Sequence, residues 1–380
     1  MEKIKVLHIT KAYPPLIGGI ETTSEQVCLA LKKTNKYSQV VFSFNNTKDT
    51  KVEEESDYKI IRIGTLIKLL SQPLSISYKK ELKKVIRDFK PDIVHFHYPN
   101  PFAAYCLKKS KFKGKLILHY HADIIKQKLV KHFFTSQTKR LLNNASVIVA
   151  TSPNYLEDTD FLPKYKSKVK IIPSSITSGR TTITENQKIE AQKIKEKYIG
   201  KKIIFFYGRH VEYKGIKYLI QANNFLDKNK VQILIGGKGP LTHELKEEAK
   251  KFNNISFIGR LDDDQINSNF LACDLFAFPS ITRNEALGLT LIESLFFGKP
   301  SVTFEIKGSG VNYVSLNDVT GLTAPNSNSK ILAENINDIL IDSNKYSKFS
   351  TNAKKRFDDI FSIEKFENNI VKLYEDVINE

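Results

Sequence analysis

The side chains of this sequence that could do chemistry cluster where short apolar runs give way to loops. Glu285 and Glu293 bound the segment Glu285-Ala-Leu-Gly-Leu-Thr-Leu-Ile-Glu293. In one continuous helix this spacing would part them by roughly 12 Å and about 80° around the axis, too far to act on one bond. A loop carrying Glu285, followed by a helix starting near Gly288, suits them better. Glu285 then faces a sugar, Glu293 reaches a ribose, and Gly288 and Leu289 offer backbone N–H groups between them. Arg209 and Lys214 lie in Tyr207-Gly-Arg-His-Val-Glu-Tyr-Lys-Gly215, directly after an apolar run. One supplies a planar fork and the other a compact charge, a pair suited to a diphosphate.

Glycines mark two further loops. Pro14-Pro-Leu-Ile-Gly-Gly19 precedes a helix pattern, and its Gly18 and Gly19 would permit positive φ and close backbone approach to an anion at the helix start. It is not a G-x-G-x-x-G fingerprint, which counts against a dinucleotide dehydrogenase. In Ile235-Gly-Gly-Lys-Gly-Pro240, Gly237 and Gly239 would let a base or ribose lie against backbone. His121 and Asp123 follow the run Lys115–Tyr120, with His121 placed to leave the sheet and His119 to stay inside it. No His/Asp/Glu group has metal-ligand spacing, and Asp262-Asp-Asp264 reads as a helix cap.

These loops need strands and helices to hold them. Apolar, β-rich runs occur at Lys5–Thr10, Gln39–Phe44, Asp92–His97, Lys115–Tyr120, Ser146–Ala150 and Val169–Ile172. Helix patterns at Glu21–Lys33 and Ser77–Phe89 lie between them. The series restarts with Lys202–Tyr207, the helix pattern Gly215–Phe225, and runs at Val231–Ile235, Ile255–Ile258, Asp274–Phe278 and Ser301–Phe304. Short buried strands alternating with helices predict parallel sheets covered on both faces. Two such series predict an α/β protein with two doubly wound domains, its ligand held at the carboxyl ends of strands in a cleft between them. The expected domains are 1–177 and 201–355, joined by a linker at 178–200 that is Ser/Thr-rich at its start, then charged and helical. A C-terminal amphipathic helix, 356–380, carries apolar Phe361, Phe366, Ile370, Leu373 and Val377.

At 380 residues, 41% hydrophobic and 26% charged, the chain has the composition of a folded globular protein of more than one core. Cys28, Cys106 and Cys273 are scattered and odd in number, which suits a reducing compartment. Neither a signal peptide nor an apolar run of about 20 residues is present, so the expected location is cytoplasmic. The net charge of +18 is uneven: residues 1–177 hold 31 Lys+Arg against 15 Asp+Glu, and the remainder 28 against 26. The basic excess is dense at Tyr78–Arg87, at Leu107–Lys115, and in Lys126, Lys128 and Lys131. It suits an anionic membrane surface or acceptor. Nucleic acid fits less well, because no helix-turn-helix, zinc-finger or RNA-binding signature accompanies it.

In this order, Gly18-Gly19, His121, Gly208-Arg209 with Lys214-Gly215, Gly236–Pro240 and the E-x7-E segment Glu285–Glu293 resemble the retaining glycosyltransferases of family 4, of GT-B fold. The resemblance spans nearly the whole chain. It implies a nucleotide-sugar donor held by the C-terminal domain and an acceptor by the N-terminal one. By that likeness Arg209 and Lys214 neutralise the donor diphosphate, and Gly18 or Gly19 approaches the phosphate or sugar. His121 contacts the donor sugar, Glu285 its hydroxyls, and Glu293 the ribose. No divalent metal or other cofactor is expected, because the two cations stabilise the leaving group. The C-terminal helix would cross back to the first domain.

The stretches around His121 and Ser280–Glu285 look closest to bacterial enzymes that build lipid-linked surface polysaccharides. This points to a lipid-linked glycan acceptor, a peripheral place on the inner face of the cytoplasmic membrane, and His97 and Asp123 as acceptor-side contacts. Pro173-Ser-Ser-Ile-Thr177 departs from the family's usual turn, and Leu287 stands where Phe is frequent. A sugar-phosphate synthase or nucleotide-sugar epimerase of the same fold, and a basic lipid- or nucleic-acid-binding module, are the competing readings.

Overall fold

The computed structural model describes residues 2–16, 18–55, 58–69, 72–123 and 131–379. The chain divides into two compact units, Met1–Thr151 with Leu156–Pro173 and Glu364–Glu380, and Ser152–Tyr155 with Ser174–Ile363. Lys126 and Lys128, with the 124–128 part of the His121 stretch, lie outside the described residues.

The first unit is built on β1 (Ile4–Ile9), β2 (Tyr37–Phe44), β3 (Lys51–Glu54), β4 (Tyr58–Ile63), a small hairpin of β5 (Ile67–Leu69) and β6 (Gln72–Leu74), β7 (Ile93–Tyr98), β8 (Lys115–Tyr120), β9 (Val147–Ala150) and β10 (Val169–Ile171). The main sheet runs β10-β9-β8-β7-β1-β2-β4-β3, parallel except for β3 against β4. Helices α1 (Gly19–Lys33), α2 (Tyr78–Phe89), α3 (Pro101–Ser110) and α4 (Lys131–Asn144) connect the strands, and the division between units falls within α5 (Pro153–Asp158). β1, β7 and β8 are almost wholly buried, as strands covered on both faces must be. The edge strand β3 and its neighbour β4 escape the apolar-run criterion because lysines, glutamates and an arginine interrupt them. They add an antiparallel edge to a sheet expected to be parallel throughout.

In the second unit come α6 (Ser178–Thr181), α7 (Glu185–Lys197), β11 (Lys202–Tyr207), α8 (Ile216–Ala222), β12 (Val231–Gly236), α9 (Thr242–Ala249), β13 (Ile255–Gly259), α10 (Asp263–Ala272), β14 (Leu275–Phe278), α11 (Leu289–Phe296), β15 (Ser301–Phe304), α12 (Val311–Val314), β16 (Gly321–Ala324), α13 (Ser329–Ile341) and α14 (Ser343–Arg356). Its strands are all parallel, in the order β13-β12-β11-β14-β15-β16. The segment 178–200, expected as a linker, belongs to this unit. Its helix α7 opens with a Thr184/Gln187 capping box and buries Gln187 and Ala191, and Gln187 donates to Asp264 at 2.6 Å. The charged, helical pattern of this stretch is thus a helix, but one that packs by its other side instead of bridging as a linker.

The last helix, α15 (Ile363–Asn379), belongs to the first unit from Glu364 onward. It buries Phe366, Ile370, Leu373, Tyr374 and Val377, and Lys33–Glu367 and Lys36–Glu375 ion pairs tie it to that unit. Phe361 instead packs in the core of the second unit, where its carbonyl accepts from Ser175 at 2.6 Å. All three cysteines are free and buried.

Candidate active site

In an open parallel sheet the strand order reverses at one point, and loops leaving the strands there diverge to form a crevice. In the second unit that point lies between β11 and β14. The loop after β11 carries Arg209 and Lys214, and the loop after β14 carries Glu285.

Backbone contacts lace these loops together. Ile281 N–H donates to the Tyr213 carbonyl at 2.9 Å, and His210 N–H to the Lys238 carbonyl at 3.1 Å. Gly237, at φ +109°, and Gly239 would each drive a Cβ into backbone of the β11 loop, at Gly208 and His210. Their glycine identity is therefore explained by loop-on-loop packing, which supports the cation-bearing loop from behind. Replacing Gly237 by alanine is expected to cost about 1–3 kcal/mol, read as an earlier urea midpoint for the second unit. An unchanged midpoint would show that the loops do not depend on this contact.

Lys214 and Glu285 do not stand apart. The Lys214 ammonium donates to Glu285 Oε2, the Ser280 hydroxyl reaches the same oxygen at 3.2 Å, and Lys214 lies 4.8 Å from the centre of the Phe278 ring. Lys214 and Glu285 are 8% and 9% exposed, so this charge pair is largely shielded from water. Ser309, after β15, donates to the Glu285 carbonyl, and Gly310 N–H to that of Ala286 at 2.9 Å. Arg209, by contrast, is exposed, and its guanidinium makes no hydrogen bond or ion pair among the described residues. One cation is thus anchored while its neighbour is available to an anion.

Helix α11 begins at Leu289, one residue after Gly288, whose φ of +88° makes it a left-handed N-cap. A Cβ at Gly288 would meet the Phe278 ring at 3.1 Å. No side chain caps this helix, and the N–H groups of Gly288 and Leu289 have no partner among the described residues. They can receive a phosphate or hydroxyl oxygen. Glu293 sits inside α11, 6% exposed, with Arg180 Nη2 at 3.1 Å from its Oε1 and 3.2 Å from its Oε2. Burial raises the Glu293 carboxyl to about 7, against the opposing pull of the Arg180 charge. Sequence reasoning missed Arg180 and Ser309, since no local pattern marks a residue whose partner is remote in the chain, and it marked Ser280 only as the start of the stretch that ends at Glu285.

In the first unit the glycine pair behaves differently from its expectation. Gly18 is extended, at φ 177°, and Gly19 is the first residue of α1 without a positive φ. A Cβ at Gly18 would meet the Glu21 carboxylate, the mobile end of a side chain. The α1 start has no side-chain cap, so its exposed amide ends, rather than unusual backbone torsion, are what it offers an anion.

His121 follows β8 but stays 6% exposed, its Nε2 2.9 Å from His97 Nδ1 and its ring stacked on His119 at 4.2 Å. His97 is fully buried within β7, so it lies in the body of the sheet rather than on an acceptor-facing surface. Asp123 accepts a hydrogen bond from the Tyr120 hydroxyl at 2.6 Å. His8, His95 and His119 complete a buried band of imidazoles. Register explains it: His8 pairs with His95 and His97 with His119, while the spacing of two puts each strand's histidines on one face. His95 bridges from Tyr374 of α15 at 2.7 Å to His119 at 3.2 Å. At the other end, Gln39 donates to the Cys28 carbonyl and turns its Oε1 to His8 Nε2, so His8 carries its proton there. The sequence reading of no metal-type cluster missed this convergence: one ring nitrogen from each of His95, His97 and His119 lies within 4.8 Å of the others. The alternation His95-x-His97 and His119-x-His121 was the available signal.

Comparison with known proteins agrees with this geometry. Residues 17–179 match the family model described as Glycosyltransferase Family 4, and residues 187–356 match Glycosyl transferases group 1. The chain is a family 4 glycosyltransferase. It is 29% identical to O-antigen chain mannosyltransferase C of Escherichia coli, with 98% of each chain covered. It is 27% identical to D-rhamnosyltransferase WbpZ of Pseudomonas aeruginosa, covering 94% of this chain and 92% of that one. Among solved structures, sucrose-phosphate synthase of Thermosynechococcus elongatus superposes with a TM-score of 0.80 at 18% identity, covering 99% and 100% of the two chains. The glycosyltransferase has the GT-B fold, each unit being one of its two Rossmann-like domains.

Proposed function

We propose that this glycosyltransferase moves a hexose, with retention at the anomeric carbon and without a metal, from a UDP- or GDP-sugar to a hydroxyl of a lipid-linked glycan in cell-surface polysaccharide synthesis. The observation that carries the reading is the shielded Lys214–Glu285 pair at the β11/β14 crevice, with the exposed Arg209 in the same loop as Lys214. Departure of a nucleoside diphosphate builds negative charge on its terminal phosphate. Arg209 and Lys214 oppose that charge, and donors fixed in a shielded site stabilise it without reorganising. Glu285, held by Ser280 and Lys214, orients sugar hydroxyls; the free N–H groups at Gly288 and Leu289 take phosphate oxygens; Glu293 grips the ribose. Same-face attack, with the departing phosphate oxygen accepting the acceptor's proton, gives retention without a separate protein base. The acceptor class rests on the O-antigen mannosyltransferase and the rhamnosyltransferase relatives. Purified protein should release UDP or GDP from one donor only when a glycan-lipid acceptor is supplied. Equal release into water, or interconversion of the sugar nucleotide without acceptor, would refute transfer.

We place the enzyme peripherally on the inner face of the cytoplasmic membrane. No helix among the described residues is long and apolar enough to cross a bilayer. Support comes from the first unit, where the β5–β6 hairpin exposes Ile67 and Leu69 beside Leu66. A few residues on, α2 buries Tyr78 and Leu82 and turns Lys79, Lys80, Lys83 and Lys84 to solvent. Binding to liposomes should rise with anionic lipid and fall with salt. Changing those four lysines to glutamine should weaken it about 100-fold, at up to about 1 kcal/mol per charge. Binding indifferent to lipid charge would leave these lysines as ordinary solvated surface.

A further inference from the structure

Resting on the reading of Glu293 as the ribose grip, we infer that Arg180 is a positioning residue for the nucleotide, holding Glu293 as an aimed carboxylate ready for ribose hydroxyls. Arg180 lies in α6, the short helix that opens the main stretch of the second unit, 113 residues from Glu293 in the chain. It is 8% exposed, and its guanidinium is held on both sides. Nη1 reaches the Asp263 carbonyl at 3.3 Å, with the Asp263 carboxylate at 3.7 Å, at the first turn of α10. Nη2 faces both oxygens of Glu293.

Two physical consequences follow. A carboxylate 6% exposed is costly to keep ionised, and Arg180 makes the single ion pair to Glu293 among the described residues. Only the ionised form offers two acceptor oxygens to two hydroxyls, and one guanidinium nitrogen leaves further lone pairs on each oxygen. Second, a planar guanidinium held by Asp263 fixes the direction from which Glu293 is approached, which lysine cannot reproduce. Because Arg180 is occupied by Glu293 and Asp263, it acts through the carboxylate rather than by touching substrate.

The test compares wild type with Arg180→Gln, Arg180→Lys and Glu293→Gln by calorimetric titration of UDP, GDP and their 2′-deoxy analogues between pH 5.5 and 9. Wild type should bind one ribonucleotide more tightly than its deoxy form. Arg180→Gln should weaken that ribonucleotide about tenfold at pH 7, bring the ribose-to-deoxyribose ratio close to one, and move the acid loss of binding to higher pH. Arg180→Lys should restore part of the ratio, and it serves as the second variant if the glutamine form is poorly folded. A lower melting temperature with an unchanged ribose-to-deoxyribose ratio would overturn the inference, leaving Arg180 a structural residue. If Glu293→Gln itself leaves the ratio unchanged, the ribose reading of Glu293 fails instead.

Discussion

Replacing Lys214 by methionine is expected to lower kcat at least about 100-fold while the protein stays folded. The thioether chain keeps much of the bulk of the lysine stem and removes the charge, including the ammonium's place over the Phe278 ring, so the loss reports electrostatics rather than packing. Removing one donor aimed at developing negative charge in a shielded site typically costs about 3–4 kcal/mol of transition-state stabilisation, or roughly a hundred- to thousand-fold. The Lys214–Glu285 contact adds a second effect. Without Lys214, Glu285 is a 9% exposed carboxylate left with Ser280 as its side-chain partner, and it must take up a proton or shift. Glu285→Gln should therefore also fall at least about 100-fold, and the double variant should lose much less than the product of the two, because the pair acts as a unit. Single-turnover release of nucleoside diphosphate measures this directly. Full activity in either single variant would remove the β11/β14 crevice as the reaction site.

The second large effect is acid unfolding of the first unit. His8, His95, His97, His119 and His121 are all buried, and burial lowers their basicity: His8 to about 4, His121 to about 3, and the other three well below 6.5. The fold holds them neutral, whereas the unfolded chain takes up protons as pH falls through 6.5. Their contribution to stability is thus complete above that pH and declines as pH drops toward their folded values. Each group costs about 1.4 kcal/mol per pH unit in that window, so five together can remove about 7 kcal/mol by pH 5.5. That is comparable to the whole stability of an ordinary domain. Glu293 in the second unit works in the opposite sense, since a carboxyl raised to about 7 lets the folded form bind its proton before the unfolded form does. Circular dichroism with pH, at fixed ionic strength, should show the first unit lost between about pH 6 and 5 and the second persisting lower. His119→Gln should flatten the first transition. A single transition below pH 4 would show that the band accepts protons without unfolding.

Much of the enzyme was legible from local pattern. Lys115–Tyr120, Lys202–Tyr207 and Ser301–Phe304 were delimited as strands residue for residue, and Asp262 does cap the following helix through a capping box with Gln265. A buried parallel strand must be a contiguous apolar run, and a helix start must satisfy its own amide groups, so both leave marks within a few residues. The packing role of α7 escaped because its outer face is charged, and β3 and β4 escaped because charged residues interrupt their apolar pattern.

What the sequence determined by itself, then, was the family, the two series of strands and the loops that bear Arg209, Lys214, Glu285 and Gly288. Those features depend on neighbours in the chain. Tertiary structure alone decided what these side chains touch. Lys214 meets Glu285 because β14 lies beside β11, and Arg180 meets Glu293 across 113 residues. The five histidines become one band because β1, β7 and β8 are adjacent in a fixed register. Strand order is a global packing solution, and charge pairing at short range follows from it. Two lone cations read from sequence thus became one anchored in a buried ion pair and one open to the donor.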